Sequence, residues 1–354
     1  MNKQPGMRDD FEILTAFSVE EVGTQAWDSL SGTRPFQSAR WYAFGERVME
    51  GCKPVYIILT KAGKAVARGT FWITRTEPLP VPEAIRGVLQ PVFQHWPLMI
   101  CRVPLLDLSG LILPADPALC SAALRLISSA ARREAARHRI SFILFPYLER
   151  EVSREKGWPA GFAPIDLPGP ATCLQIHWPD FDTYLNQLPR STRKYYRHNH
   201  KHASDLSIHV DRKETLAPEQ VVSFIRNVEK HHKSASNPCV PAILKNTGMV
   251  EAAWFSAKIG EQPAGCLLTF KERESSLLSL IGLDYNVPGA YFQLLYSAIG
   301  FAIENHSKLL LGGTGAYQFK QSMGFELTTN TWAVLASHNP FLQKIGFFLA
   351  KWAN

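Results

Sequence analysis

The sequence predicts an α+β (α/β) fold built as two similar halves, and three observations predict it. Strand-like and helix-like stretches follow one another in mixed order. A weak internal repeat relates the two halves. The chain has 354 residues, 46 % of them apolar, enough for two cores at about 150 residues per domain. With 19 % charged residues, 23 glycines and 24 prolines, the composition excludes wholesale disorder and collagen-like or low-complexity chains.

The repeat starts with two hairpins, at 54–73 and 253–270. Each reads as apolar strand, polar glycine-containing turn, apolar strand. Both carry K-x-G-x-x-x-A, at Lys61, Gly63, Ala67 and at Lys258, Gly260, Ala264. A proline-rich stretch, 78–114, follows the first hairpin and reads as an irregular insertion. A long helix at 117–138 comes next, with Asp116 as N-cap and Pro117 in its first turn. A strand at 140–145 follows. A short helix then leads to Gly157-Trp158, and a closing strand spans 171–178. The second half repeats this order. It has a helix at 290–305, a strand at 308–311, a short helix leading to Gly324-Phe325, and a closing strand at 331–335.

Between the halves lies Leu167-Pro-Gly-Pro170, the expected boundary. The expected domains are therefore 1–168 and 169–338, with a tail at 339–354. A basic, mostly helical insertion at 181–233 holds helices at 181–188, 191–202 and 218–233 and a strand at 206–210.

Net charge is +7 and the isoelectric point about 9.1. That is milder than a dedicated DNA-binding domain. It suits an anionic ligand, an RNA end or a membrane surface. The six cysteines (52, 101, 120, 173, 239 and 266) form no C-x-x-C and no zinc spacing. They read as free thiols in a reducing compartment. Residues 1–10 lack the apolar core of a signal peptide. The longest uncharged run, 285–303, is broken by Asn286, Pro288 and Gly289, so it reads as a buried helix rather than a membrane span. A cytoplasmic location is expected, with peripheral contact at the inner membrane face left open.

Three segments carry candidate chemistry. The first is Leu188-Pro-Arg-Ser-Thr-Arg-Lys-Tyr-Tyr-Arg-His-Asn-His-Lys-His202, with no acidic residue from Arg190 to Ser204. On a helix, Arg190, Arg193 and Lys194, Arg197 and Lys201 fall on one stripe. Such a stripe is self-repelling until an anion neutralises it, and phosphate is the natural partner of arginine. Tyr196 is interleaved with it. His198, His200 and His202 alternate as metal ligands do on a strand, but they lie in a helical pattern among cations. No metal is expected.

The second segment is Gly312-Gly-Thr-Gly-Ala-Tyr-Gln-Phe-Lys-Gln-Ser-Met-Gly-Phe325. A buried strand ends in a glycine-rich turn and opens a short helix. Backbone N–H groups at such a turn hold anions, with Gly313 and Gly315 as candidates. Lys320 follows Tyr317 by one turn. The third is Gly282-Leu-Asp-Tyr-Asn-Val-Pro-Gly-Ala290, which joins a strand to a helix N-terminus. There Asp284 and Tyr285 would meet a phosphate or carbonyl. No Ser/His/Asp order, H-E-x-x-H or paired-carboxylate signature is present.

These three segments, in this order, resemble the FemAB-like (CelD-like, BioF2-like) branch of the GNAT acyltransferase superfamily. The run L-P-R-S-T-R-K-Y-Y-R resembles that branch's basic helix. G-L-D-Y-N-V-P-G-A-Y resembles its strand-to-helix element, and G-T-G-A-Y-Q-F-K-Q-S-M-G-F its closing box. In the first half, Pro35-Phe-Gln-Ser-Ala-Arg-Trp-Tyr42 resembles an early helix of the family. The resemblance implies tandem GNAT-like domains with mixed sheets flanked by helices. It also implies transfer of an activated acyl or aminoacyl group to an amine, in a cleft between the halves. Lys320 then matches the family's oxyanion-stabilising lysine. Tyr317 lines the same cleft, and Arg190, Arg193, Lys194 and Arg197 hold a phosphate. No cofactor is tightly bound, and the donor is acyl-CoA, acyl-carrier protein or aminoacyl-tRNA.

Two departures from the family pattern bear on the donor. Asn286-Val-Pro-Gly-Ala290 replaces the glycine-rich pyrophosphate loop of CoA-dependent enzymes, and the long helical arm of glycyl- and alanyl-transferring relatives is missing. Asp284 and Tyr285 are candidate bases beside substrate-assisted proton transfer. The tail at 339–354 places Phe341, Ile345, Phe348 and Trp352 on one helical face, flanked by Leu342 and Leu349, with Lys344 and Lys351 beside it. It suits an interfacial helix near anionic lipid, or docking on its own domain or on a twin subunit. The acceptor is a small or lipid-linked amine, and monomer and homodimer both stay open. A contrasting expectation is a non-catalytic GNAT-fold module that binds RNA or anionic lipid through its basic helix.

Overall fold

A computed structural model describes residues 11–75, 95–148, 152, 158–167, 169–213, 216–329, 332–337 and 339–352. The short helix expected before Gly157-Trp158 lies outside the described residues. So do 76–94, which include the first part of the expected irregular insertion.

The chain divides into two compact units, residues 1–46 with 51–168 and 330–354, and residues 47–50 with 169–329. Each has a mixed sheet flanked by helices, so the α+β class holds. The first unit opens with β1 (Phe11–Ala16), α1 (Val19–Val22), α2 (Thr24–Ser31) and α3 (Ala39–Val48). The hairpin is β2 (Lys53–Lys61) and β3 (Lys64–Thr74). Then come β4 (Leu98–Cys101), β5 (Leu111–Ile112), α4 (Pro117–Arg137), β6 (Phe142–Phe145) and β7 (Phe162–Asp166). The sheet order is β1-β2-β3-β4-β6-β15-β7, with β5 on β3. β15 (Trp332–Ser337) comes from the far end of the sequence.

Why α4 forms is legible. Asp116 Oδ1 accepts from Leu119 N at 2.8 Å, and Pro117 sets the first turn. Its buried face, Ala123, Leu124, Ile127, Ala130 and Ala131, packs on Val55, Ile57, Phe71 and Ile143. Small residues at helical spacing let helix and sheet approach closely.

The second unit runs β8 (Thr172–Gln175), α5 (Phe181–Gln187), α6 (Arg190–His202), β9 (Leu206–Asp211), α7 (Pro218–His231) and α8 (Val240–Asn246). Next are β10 (Glu251–Ile259), β11 (Gln262–Glu272), β12 (Ser275–Leu283), α9 (Ala290–Glu304), β13 (Leu309–Gly313), α10 (Tyr317–Ser322) and β14 (Glu326–Leu327). Its sheet order is β14-β8-β13-β12-β11-β10-β9. The apolar α9 covers one face of this sheet, with Leu294 and Ala298 against Phe255, Leu267 and Leu283. It is a core helix.

Four expectations are corrected. The stretch 78–114 is not wholly irregular, since β4 lies inside the first sheet between β3 and β6. The closing strands are exchanged. β8, expected to close the first half, pairs with β13 of the second sheet, Leu174 opposite Leu310. β15, expected to close the second half, inserts between β6 and β7 of the first. A short apolar strand shows its buried face in its sequence but not its partner. The insertion at 181–233 is no appendage either: β9 extends the second sheet beside β10, and α7 packs on β12.

The tail helix α11 (Pro340–Trp352) packs on β15 and β7 of the first unit. Gly346 is the contact point. A Cβ there would sit 2.7 Å from Leu335 Cδ2.

Candidate functional site

All three motif segments lie in the second unit, where the sheet opens. β12 and β13 are parallel neighbours over only three rungs, Ser275 to Leu277 against Leu309 to Leu311. Beyond them β12 continues to Leu283 without β13. A bulge accompanies the divergence: Leu268 opposes Leu280 and Thr269 opposes Leu278, leaving Ser279 as the extra residue. Bulges increase local twist and turn a strand away from its neighbour.

At the end of β12 the loop 284–289 is built by Asp284. Its Oδ1 accepts from Asn286 N and Nδ2, both at 2.9 Å, and its carbonyl accepts from Val287 N at 3.1 Å. This Asx turn leads to the N-terminus of α9. Tyr285 is 43 % exposed. Its ring stacks on His231 of α7, centroids 4.0 Å apart, and burial raises its pKa. α7 is fixed there by close approach. A Cβ on Gly282 would lie 2.7 Å from Phe224 Cβ and 2.8 Å from Ile225 N. Asn227 also donates to the Leu283 carbonyl at 3.2 Å.

After β13 the chain turns through positive φ at Gly313 (64°), Gly315 (80°) and Ala316 (49°) before α10 begins. Thr172 Oγ1 donates to the Gly313 carbonyl at 2.7 Å. Lys320 is only 6 % exposed. Its Nζ donates to the carbonyls of Gly312 (2.5 Å) and Thr314 (3.3 Å), so it reaches back under the turn. Burial pushes its pKa down to about 8. An ammonium has three N–H donors, and the two carbonyls take two of them. Tyr317 is half-buried, and its hydroxyl donates to the Pro170 carbonyl at 2.8 Å.

The basic helix α6 presents two faces. Thr192, Tyr196, Asn199 and Ala203 face inward. Tyr196 meets Tyr296 edge-on at 4.7 Å and stacks on His200. Burial raises its pKa. Arg190, Lys194, Arg197 and Lys201 point outward and are exposed. Among the described residues none of the four makes an ion pair. Arg193 departs from them. Its Nη1 donates to the carbonyls of Asn186 (2.9 Å) and Leu188 (2.7 Å), closing the C-terminus of α5. The histidine trio is split: His198 and His202 lie ring to ring at 4.0 Å, while His200 turns toward Gln293.

Side chains tie these segments together. Thr192 Oγ1 donates to the Ser322 carbonyl and Tyr184 Oη to the Met323 carbonyl, joining α5 and α6 to the end of α10. Above these bonds sits an aromatic cluster. Tyr195 of α6 meets Phe292 at 5.4 Å and Phe319 at 6.4 Å. Tyr291 meets Phe319 at 5.6 Å, and Phe292 meets Phe319 at 5.0 Å. Burial raises the Tyr291 pKa to about 12.

No family model matches the sequence, and no curated protein matches it at a significant level. Solved structures do. FemX superposes with a TM-score of 0.63 at 11 % identity, covering 94 % of this chain and 99 % of that one. A tandem GNAT protein from the clavulanic acid biosynthesis pathway gives 0.52 at 11 %, over 94 % and 99 %. L-PGS from Bacillus licheniformis gives 0.50 at 11 %, over 94 % and 97 %. The fold is that of the tandem GNAT proteins. The FemAB-like resemblance carried by the three motifs is therefore matched by a likeness of fold along nearly the whole chain.

Within this tandem GNAT fold, the second unit gathers Lys320, Gly313 and Gly315 at one turn, with Tyr195, Tyr291, Phe292 and Phe319 beside them. The aromatic four were missed in the sequence, although Tyr195 and Phe319 each adjoin a residue singled out there. His231 was missed too. Nothing in its local pattern shows that α7 would lay it on Tyr285.

Proposed function

We propose that this chain is a FemAB-like N-acyltransferase, moving an activated acyl or aminoacyl group to an amine. The observation that carries the reading is the meeting of α6, the α9 N-terminus and α10 around one aromatic cluster, with Lys320 buried under the adjoining turn. The likeness in fold to FemX and to a tandem GNAT protein adds support.

The chemistry is a single displacement at a carbonyl. The amine lone pair forms the C–N bond, and the carbonyl oxygen gains charge beside the third N–H of Lys320. Collapse breaks the bond to the thiol or hydroxyl leaving group, which takes up the amine's proton. Arg190, Lys194 and Arg197 hold phosphate of the donor, be it acyl-CoA, acyl-carrier protein or aminoacyl-tRNA. Cations in the first turn of α6 oppose its dipole, so an anion there gains doubly. The donor is the only co-substrate the reading requires. The acceptor is a small or lipid-linked amine, and the setting is cytoplasmic.

Lys320→Ala should lower turnover by about 10²-fold or more while the far-ultraviolet spectrum stays native. Unchanged turnover would sink the assignment. The second reading, a non-catalytic module, is favoured by one observation: both hydrogen bonds of the Lys320 ammonium go to backbone carbonyls. It expects salt-sensitive binding of RNA or anionic lipid by α6 and no product.

A further inference from the structure

The tail helix α11 packs on β15 and β7 of the first unit through its Gly346 side. Gly346 sits on Leu335 and Phe142, and Gln343 Nε2 donates to the Gly161 carbonyl at 2.7 Å. At about 100° per residue, Phe341, Lys344 and Phe348 lie roughly opposite Gly346 on the helix. They are turned outward: Phe341 is 69 % exposed, Phe348 is 61 % exposed, and Lys344 is exposed. These are the two most exposed large apolar side chains among the described residues, two turns apart on one face. Lys344 and Lys351 are the only charged residues from 339 to 354, and both are basic.

We infer that the outward face of α11 is a membrane-docking surface for anionic lipid. Aromatic rings that anchor in the headgroup region, with Lys344 on the same face and no acidic side chain from 339 to 354 to repel lipid phosphate, are the chemistry of an in-plane interfacial helix. Thirteen residues are too few to cross a bilayer, and among the described residues no helix is long and apolar enough to do so. On this proposal the helix lies in the plane of the lipid surface. The inference is independent of the acyl-transfer reading, because α11 belongs to the first unit and the candidate site to the second.

The test is sedimentation of the full chain with vesicles, either pure phosphatidylcholine or phosphatidylcholine mixed with phosphatidylglycerol. Binding is expected on the mixed vesicles only. Phe341→Ser/Phe348→Ser should lower it at least tenfold, and Lys344→Glu about fivefold. Both variants should melt like the parent, since the replaced side chains are exposed. Arg197→Ala should leave vesicle binding unchanged. Three results overturn the inference. One is no binding to mixed vesicles at low salt. Another is binding that survives the double phenylalanine variant, which assigns it to another surface such as α6. The third is a dimer in solution that the same variant dissolves, which assigns the face to a second copy of the chain.

Discussion

Lys320 carries the most chemical weight of any residue, and its two carbonyl contacts make its behaviour calculable. Burial holds its pKa near 8. A lysine that stabilises an oxyanion works only when protonated. The protonated fraction of Lys320 is therefore full well below pH 8 and falls as pH rises through that value, which gives the profile a falling limb there. A kcat/KM profile measured from pH 6 to 10 checks this. A profile that is unchanged in shape in Lys320→Ala would contradict the role, since the acceptor amine's own deprotonation accounts for a rising limb only. Arg193 and Arg197 differ in kind, although both belong to the basic helix. Arg193 closes α5 through two carbonyls. Arg193→Ala should cost about 1 kcal/mol in denaturant unfolding. Arg197→Ala should leave stability unchanged, within about 0.5 kcal/mol, and weaken binding of a phosphate-bearing donor. Equal losses of stability in both variants would contradict the division of roles.

Among the elements, the pairing of α7 with β12 sets the mouth of the sheet. Gly282 permits it, because a Cβ there would press on Phe224 and on the backbone of Ile225. Gly282→Ala should destabilise by about 1–3 kcal/mol through overpacking. It should also move His231 off Tyr285, read as a change in the His231 ring resonances. Unaltered stability and resonances would show that α7 has room to give. The same elements show what sequence can and cannot convey. The helix at α4 was legible because its cap, its proline and its apolar spacing are local. The basic stripe of α6 was legible for the same reason. The exchange of β8 and β15 was not, because partner choice depends on which sheet has an open edge. The place of Arg193 was hidden as well. Its charge fits the stripe, but its reach to the α5 carbonyls depends on the turn at Leu188-Pro189.

For the molecule as a whole, that exchange has a stability consequence. β15 lies between β6 and β7, and Trp332, Val334 and Ala336 are part of the first unit's core. A chain truncated after Thr329 keeps every strand of the second sheet and loses an internal strand of the first. It should lose the unfolding transition of the first unit and keep that of the second, as read by calorimetry. Retention of both transitions would contradict the assigned topology. Gathering of the three motif segments in the second unit also means that the donor-binding residues should survive this truncation.

The central claim is that α6 and Lys320 serve one donor of an acyl-transfer reaction. Thermal melting of the full chain tests it most directly, with acetyl-CoA, long-chain acyl-CoA, acyl-carrier protein and aminoacyl-tRNA added separately. A ligand at about 100 times its Kd stabilises by about 2.7 kcal/mol, a shift of several degrees for one unit. One donor class is expected to raise the melting temperature of the parent and to lose that effect in Arg197→Ala. No shift with any donor, together with salt-sensitive RNA binding and no product, would contradict the claim and leave a binding module.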